Sequence, residues 1–242
     1  MVEVKNYAPS TMGKHIKTLK TFLQSATESG LNNNIKFQSK GFKTITSDSD
    51  NIALSENELS AISNLDLFYN EKLDKVRDLF LIGANTGLRF SDFSIITPDN
   101  IRKVKNGYNL DIIQTKGKGR VIIPLNDTVL SILHKYNNQL PKAISNQKFN
   151  DYIKEVAQLV DVLHEPFTQI KTRGGIQSEV TSPKWDLVSS HTARRSFATN
   201  QYRKGVPSKS IMAITGHQKE ESFLKYLKIS DTEHAEIMRK HQ

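Results

Sequence analysis

The chain contains no cysteine in 242 residues. That excludes disulfides, zinc–thiolate sites and thiol nucleophiles together. Long apolar runs are missing too: stretches such as Leu79-Phe-Leu-Ile82 are far too short to cross a bilayer. The opening Met1-Val-Glu-Val-Lys5 lacks the apolar core of a signal peptide. These absences set the expectation of a protein of the bacterial cytoplasm with no membrane partner. Glycine (12) and proline (7) are sparse, and no internal repeat or low-complexity tract stands out, so collagen-like and disordered classes are excluded. Asp and Glu are scattered, which disfavours a metal-dependent nuclease and leads to the expectation of no metal and no cofactor.

What the chain does have is positive charge. Lys and Arg number 34 against 25 Asp and Glu, a net +9 that favours a polyanionic partner. With 37% hydrophobic and 24% charged residues the composition is globular, and the length suits one large domain plus a small helical one. Residues 1–46 carry seven lysines against two glutamates. There, Pro9-Ser-Thr11 opens a helix on which Ile16, Leu19, Phe22 and Leu23 recur at helical spacing, and Gly30 with Asn32–Asn34 closes it. One helix with so narrow a stripe cannot form a core alone. The segment is either a fragment of a larger helical domain or an appendage docked elsewhere. Residues 47–54, beginning with the polar Ser47-Asp-Ser-Asp-Asn51, are read as a linker.

Ser55-Glu-Asn-Glu58 is a capping box, so a second domain over 55–242 begins there. Its expected elements are a buried helix over 73–85 and a hairpin of 108–114 and 120–125 with a basic Lys116-Gly-Lys-Gly119 tip. Helices over 127–135 and 147–160 and a second hairpin around Thr172–Gly175 follow. Four helices complete the chain, near 191–204, 207–214, 220–227 and 231–240. The expected class is mainly α with a small antiparallel β-sheet.

Four separated segments carry the candidate chemistry. In Thr86-Gly-Leu-Arg89-Phe-Ser-Asp92, an arginine just beyond a helix end can meet two oxygens of one phosphate in a bidentate pair. Asp92, one turn on, is placed to orient a nearby cation. Lys116, with Lys118 and Arg120 beside it, sits on a turn able to present an ammonium to DNA or to donate a proton. Lys118 competes for the donor role; Lys116 is preferred for its position relative to the preceding strand. His191 and Arg194 share one helix face, capped by Ser189-Ser190, where the amide dipoles also favour an anion. Arg195 points elsewhere, as a backbone clamp or a DNA contact. His217 follows Gly216 at a sharp turn, and Tyr226 lies nine positions on.

The ordered set Arg89, Lys116, His191-x-x-Arg194, Gly216-His217, Tyr226 resembles the tyrosine recombinases of the phage-integrase family, nearest to integrases of bacterial mobile elements. The likeness covers about residues 50–230. It implies a catalytic domain preceded by part of a helical, SAM-like core-binding domain in 1–46, whose Lys14, Lys17 and Lys20 join Lys118, Arg120 and Arg195 as DNA contacts. It implies Tyr226 as nucleophile forming a 3′-phosphotyrosyl link, and Arg89, Arg194 and His217 as oxyanion donors. Lys116 becomes the donor to the 5′ oxygen, and His191 assists removal of the tyrosine proton. The partner is double-stranded DNA at the nucleoid. A monomer assembles there as a homotetramer, with a possible accessory DNA-bending protein. The tail 231–242 either docks on a neighbouring protomer or packs on its own domain. Two rivals stay open: a type IB topoisomerase-like enzyme and a non-catalytic DNA-binding regulator.

Overall fold

In a computed structural model, the described residues are 6–45, 51–227 and 229–240. They fall into two compact units.

The first unit holds residues 6–45 together with Phe167–Ser182. Helix α1 (Pro9–Glu28) starts with proline at its first position, where the missing N–H is no loss. Lys14 and Lys17 are exposed on it, and Lys20 lies over the Phe42 ring at 5.5 Å. Leu19 and Phe22 of the apolar stripe remain 48% and 69% exposed, so this helix buries only part of its stripe. The hairpin joins the unit through the Gly174 N–H, which donates to the Tyr7 carbonyl at 3.2 Å. Residues 47–50 of the expected linker lie outside the described residues.

The second unit spans residues 51–166 and 183–240. Its first residues are strapped down, whereas a linker was expected over 47–54. Ile52 and Leu54 are buried, and the Leu54 N–H donates to Ser196 Oγ at 2.8 Å. Asn200 Nδ2 in turn donates to the Leu54 carbonyl at 3.0 Å. Two apolar side chains two residues apart, flanking one helix, account for this burial. Helix α2 (Glu56–Ser63) opens on the expected box: Ser55 N–H to Glu58 Oε2 at 2.7 Å and Glu58 N–H to Ser55 Oγ at 3.3 Å.

Helix α3 (Glu71–Thr86) starts polar, with Glu71, Lys72, Asp74, Lys75, Arg77 and Asp78, and turns apolar; Leu73, Val76, Leu79, Phe80, Leu81 and Ile82 are all buried. The run Leu79–Ile82 is apolar on every side and belongs inside. It packs against helices on several sides, above all the later helix Ser190–Arg203. A short helix α4 (Phe90–Phe93) follows, and Phe90, Phe93 and Phe149 meet edge-on or tilted with centroids 5.0–5.9 Å apart. Strands β1 (Ile101–Val104), β2 (Gly107–Ile113) and β3 (Arg120–Pro124) form an antiparallel sheet in that order. Register Leu110↔Ile123 and Ile112↔Val121 turns all four of those side chains inward. Strand β1 is an addition to the expected hairpin, a short edge bearing Arg102 and Lys103.

Helices α5 (Asp127–Lys135) and α6 (Asn146–Gln158) cover α3. Lys135 bridges Asp74 and Asp78 at 2.5 and 2.6 Å, and Tyr136 donates to Asp78 at 2.9 Å, pinning α5 to α3. Burial and then Asp78 push the Tyr136 phenol well above its ordinary range. The second hairpin is β4 (Pro166–Arg173) with β5 (Ile176–Pro183). Helices α7 (Ser190–Arg203), α8 (Ser208–Thr215) and α9 (Glu220–Tyr226) surround a cluster of Phe197, Ala198, Ile211, Phe223 and Leu227. Helix α10 (Asp231–Lys240) rests on its own domain: Arg203 pairs with Glu233 at 2.6 Å, and Tyr202 meets the His234 ring edge-on at 5.7 Å. No described helix is long and apolar enough to cross a membrane.

Candidate active site

Helix α7 carries two of the expected groups on its first turn. Its start is fixed by α6, whose Asn150 accepts from the Ser190 N–H at 2.8 Å and whose Asn146 accepts from the Ser190 hydroxyl at 2.9 Å. One turn in, Arg194 is 1% exposed and its Nη1 donates to the Gly87 carbonyl at 2.8 Å. Gly87 ends α3 in the left-handed region (φ 68°), and a β-carbon there would come within 2.4 Å of the Phe197 ring. Only glycine allows the chain to turn there and set Arg89 beside Arg194.

Arg89 stands at the start of α4, with Nη1 on Gln114 Oε1 at 3.3 Å. Asp92 is fully buried, yet no hydrogen bond joins it to a cation among the described residues. Its Oδ1 accepts instead from the Thr115 N–H at 2.8 Å, at the base of the hairpin turn, while Oδ2 has no partner. Its charge still favours the charged form of Arg194.

Gly216 ends α8 in the left-handed region at φ 65°. His217 emerges from that turn with Nδ1 2.8 Å from the hydroxyl of buried Thr215. Tyr226, at the end of α9, brings its ring to 5.0 Å from His217 and 5.5 Å from His191, the latter edge-on at 88°. Arg195 covers the same ring with Cζ 4.8 Å from its centroid, and its Nη1 donates to the Ile52 carbonyl at 3.3 Å. Arg195 is thus the backbone clamp of the two alternatives; at 6% exposure it offers DNA little surface.

The structure therefore gathers Arg89, Arg194, His191, His217 and Tyr226, with Arg195 behind them. Lys116 is not gathered. It is exposed on the turn after β2 and makes no hydrogen bond or ion pair with a described residue. Lys118 stands beside it with φ 51°. Arg120 is engaged across the ladder, with Nε and Nη2 on the Asp111 carboxylate at 2.8 and 2.5 Å. A surface concavity of about 700 Å³ between the sheet and α5, lined by Ile101, Tyr108, Leu130 and His134, holds none of these groups.

The electrostatics follow from crowding cations in a half-dry place. Burial, then Arg89, lowers Arg194 to about 10, so it keeps its charge at neutral pH. Burial, then Arg195, Arg194 and Arg89, lowers His191 to about 4. His191 keeps an exposed edge, and solvent there screens part of that repulsion. Burial, then Arg194, Arg89 and His191, lowers His217 to about 4. Burial raises the Tyr226 phenol, and Arg195, Arg194 and Arg89 oppose the rise. The phenol and Arg194 interact electrostatically, but their geometry falls short of a hydrogen bond: Tyr226 Oη and Arg194 Nη2 are both buried without a partner. Such a place suits an anion that brings acceptor oxygens. Among the described residues no group of three or more His, Asp or Glu is arranged to hold a metal.

Two supporting residues escaped the sequence reading. Gln114, 3% exposed, joins Arg89 to α8 by donating from Nε2 to the Ile214 carbonyl at 2.9 Å. Its signal was present: Leu110, Ile112 and Gln114 share one parity of the strand, which marks a polar side chain on an inward face. Thr215 gave no comparable sign, since threonine is ordinary at a helix end.

The Phage integrase family matches residues 53–233, well over half of the chain. Tyrosine recombinase XerD of Listeria monocytogenes serotype 4b (strain F2365) is 27% identical over 135 residues, covering 54% of this chain and 42% of that relative. The match thus spans less than half of the relative's length. The Tn1549 transposon integrase (residues 82–397, R225K), solved with a circular intermediate DNA, superposes with a TM-score of 0.64 at 17% identity, over 98% of this chain and 81% of that one. A lambda integrase (75–356) dimer bound to a COC′ core site gives 0.61 at 16% identity, over 88% and 71%. These two likenesses bear on the fold, which is mainly helical with small antiparallel sheets, as expected. With the family match and the ordered polar set in hand, the chain belongs to the phage integrase family.

Proposed function

We propose that the protein is a site-specific DNA recombinase that cuts and rejoins strands through a 3′-phosphotyrosyl intermediate, serving integration and excision of a mobile element. The supporting observation is the convergence of buried Arg194, half-buried Arg89 and two imidazoles on the Tyr226 phenol, whose hydroxyl is buried. Tyr226 Oη attacks the scissile phosphorus, a P–O bond to the tyrosine forms, and the bond to the 5′ oxygen breaks. Arg89, Arg194 and His217 hold the non-bridging oxygens as charge builds on them, the largest contribution in sites of this kind. His191, neutral at working pH, takes the phenolic proton. Lys116 protonates the leaving 5′ oxygen once its turn has closed over the DNA. The tyrosyl ester retains the energy of the original bond, so a second 5′ hydroxyl reverses the step without a cofactor.

The partner is double-stranded DNA in the bacterial cytoplasm, at the nucleoid. Residues 1–46 act as part of a core-binding domain and 55–242 as the catalytic domain. Lys14, Lys17, Lys20, Lys118 and Arg120 meet phosphates, Arg120 after leaving Asp111. The monomer assembles as a homotetramer on two duplexes, aided by an accessory bending protein. The deciding experiment is covalent capture from a pool of nicked duplexes of random core sequence. The wild-type chain is expected to form a denaturant-resistant adduct and Tyr226→Phe none. Equal capture by both would remove Tyr226 from this role.

A further inference from the structure

The Thr215 hydroxyl has two neighbours and one proton. Its Oγ1 lies 2.7 Å from the Ile211 carbonyl and 2.8 Å from His217 Nδ1. A carbonyl oxygen only accepts, so the proton must point at Ile211, or two lone-pair oxygens would face each other at that distance. The hydroxyl then has only a lone pair to offer the imidazole, and Nδ1 must carry hydrogen. Both contacts are satisfied in this arrangement and in no other neutral one. Thr215 is fully buried and capped by the glycine turn, so it cannot swing away to escape the choice.

We infer that Thr215 is a positioning residue that locks neutral His217 in the Nδ1-protonated tautomer, leaving Nε2 bare until a bound phosphate lets it take up a proton from solvent. The consequence for chemistry, though not the tautomer itself, rests on the phosphoryl-transfer reading above. A bare Nε2 cannot donate to a non-bridging oxygen; the ring must first become imidazolium, with Thr215 still holding Nδ1–H. The groups facing the ring account for why it waits. Arg194 and His191 come from α7, Arg89 from the start of α4, and Tyr226 and Phe223 from α9. From the residue just after β2 comes the neutral Gln114 carboxamide, against Gly216. The cations among them repel a ring proton. A phosphate lodged between the guanidiniums offsets part of that field and places an acceptor oxygen beside the ring, so substrate binding and proton uptake are coupled.

The test reads imidazole ¹⁵N shifts of the full chain at pH 8, where the ring is neutral. The expected His217 pattern is protonated Nδ1 and unprotonated Nε2, kept in Thr215→Ser and reversed in Thr215→Val. An Nε2-protonated ring in the wild type overturns the inference, as does an unchanged pattern in Thr215→Val. Should that variant not fold, the wild-type spectrum decides alone. The coupling is read from adduct formation: the ratio of capture rates at pH 6 and pH 8 should be larger in the wild type than in Thr215→Val. His191 and Tyr226 titrate alike in both proteins and cancel from this comparison, and equal ratios overturn the coupling. Failure of the wild type to form any adduct would instead sink the phosphoryl-transfer reading, leaving the spectra to judge the tautomer.

Discussion

The two parts of the proposed reaction centre are built in opposite ways. Arg194, Arg195 and Tyr226 are sunk among helices α7 and α9, with Arg194 at 1% and Arg195 at 6% exposure. Lys116 and Lys118 stand on an exposed turn, fixed only at its base by Gln114 N–H to the Gly119 carbonyl at 2.9 Å and by Thr115 N–H to Asp92. The difference separates binding from delivery. Groups that stabilise charge on phosphorus work best preorganised, because nothing then has to reorient as the charge appears. A proton donor for the leaving oxygen has to arrive with the DNA and leave with it, and a turn can do this where a packed helix cannot.

Breaking the buried half should have the largest effect. Beyond the loss of capture in Tyr226→Phe, Arg194→Met is expected to lower the cleavage rate about 10²–10³-fold, as loss of one oxyanion donor does. Thermal stability should change little, because removing a desolvated charge beside Arg89 offsets the loss of the hydrogen bond to the Gly87 carbonyl. Calorimetry beside single-turnover cleavage separates the two; a lower melting temperature would show the guanidinium to be a structural strut.

Breaking the exposed half should matter selectively. Lys116→Ala is expected to slow an ordinary substrate far more than one with a 5′-bridging sulfur, whose thiolate departs unprotonated. Equal slowing would make Lys116 a binding group only. The corresponding change at Lys118 tests which lysine of the turn delivers the proton.

Acid should loosen the buried half while sparing the turn. His191 and His217 sit near 4 in the folded chain against an ordinary 6.5, so between those values the unfolded chain binds more protons. Stability conferred by the neutral rings is complete above about pH 6.5 and falls as pH drops towards 4. Melting curves across that window should steepen in the wild type and flatten in a His191→Asn, His217→Asn double variant. The smallest effect concerns neither half: Asp78→Asn, in the α3–α5 ion network, should lower stability without altering the chemical step. Melting and single-turnover rates on the same preparation check it.

Much of this was legible in the residues because it is local. The Ser55–Glu58 box, the Asp127–Lys135 helix and the last helix over 231–240 follow from caps and apolar spacing, and the structure has them where expected. The polar set was legible as an order along the chain, and the structure adds that five of its members meet. What escaped is relational. Strand β1 gives no sign of itself in the sequence because an edge strand hides its pairing in its neighbour. Residues 52–54 read as linker because only helix α7 reveals why they are buried. Gln114 and Thr215 carry ordinary side chains whose importance lies in the atoms across from them.

The guanidinium of Arg195 grips the Ile52 carbonyl with one edge and lies against the Tyr226 ring with its face. One side chain of helix α7 thus joins the strap at Ile52 to the Tyr226 ring. A substitution at Arg195 therefore disturbs the seat of the strap and the packing of the phenol together.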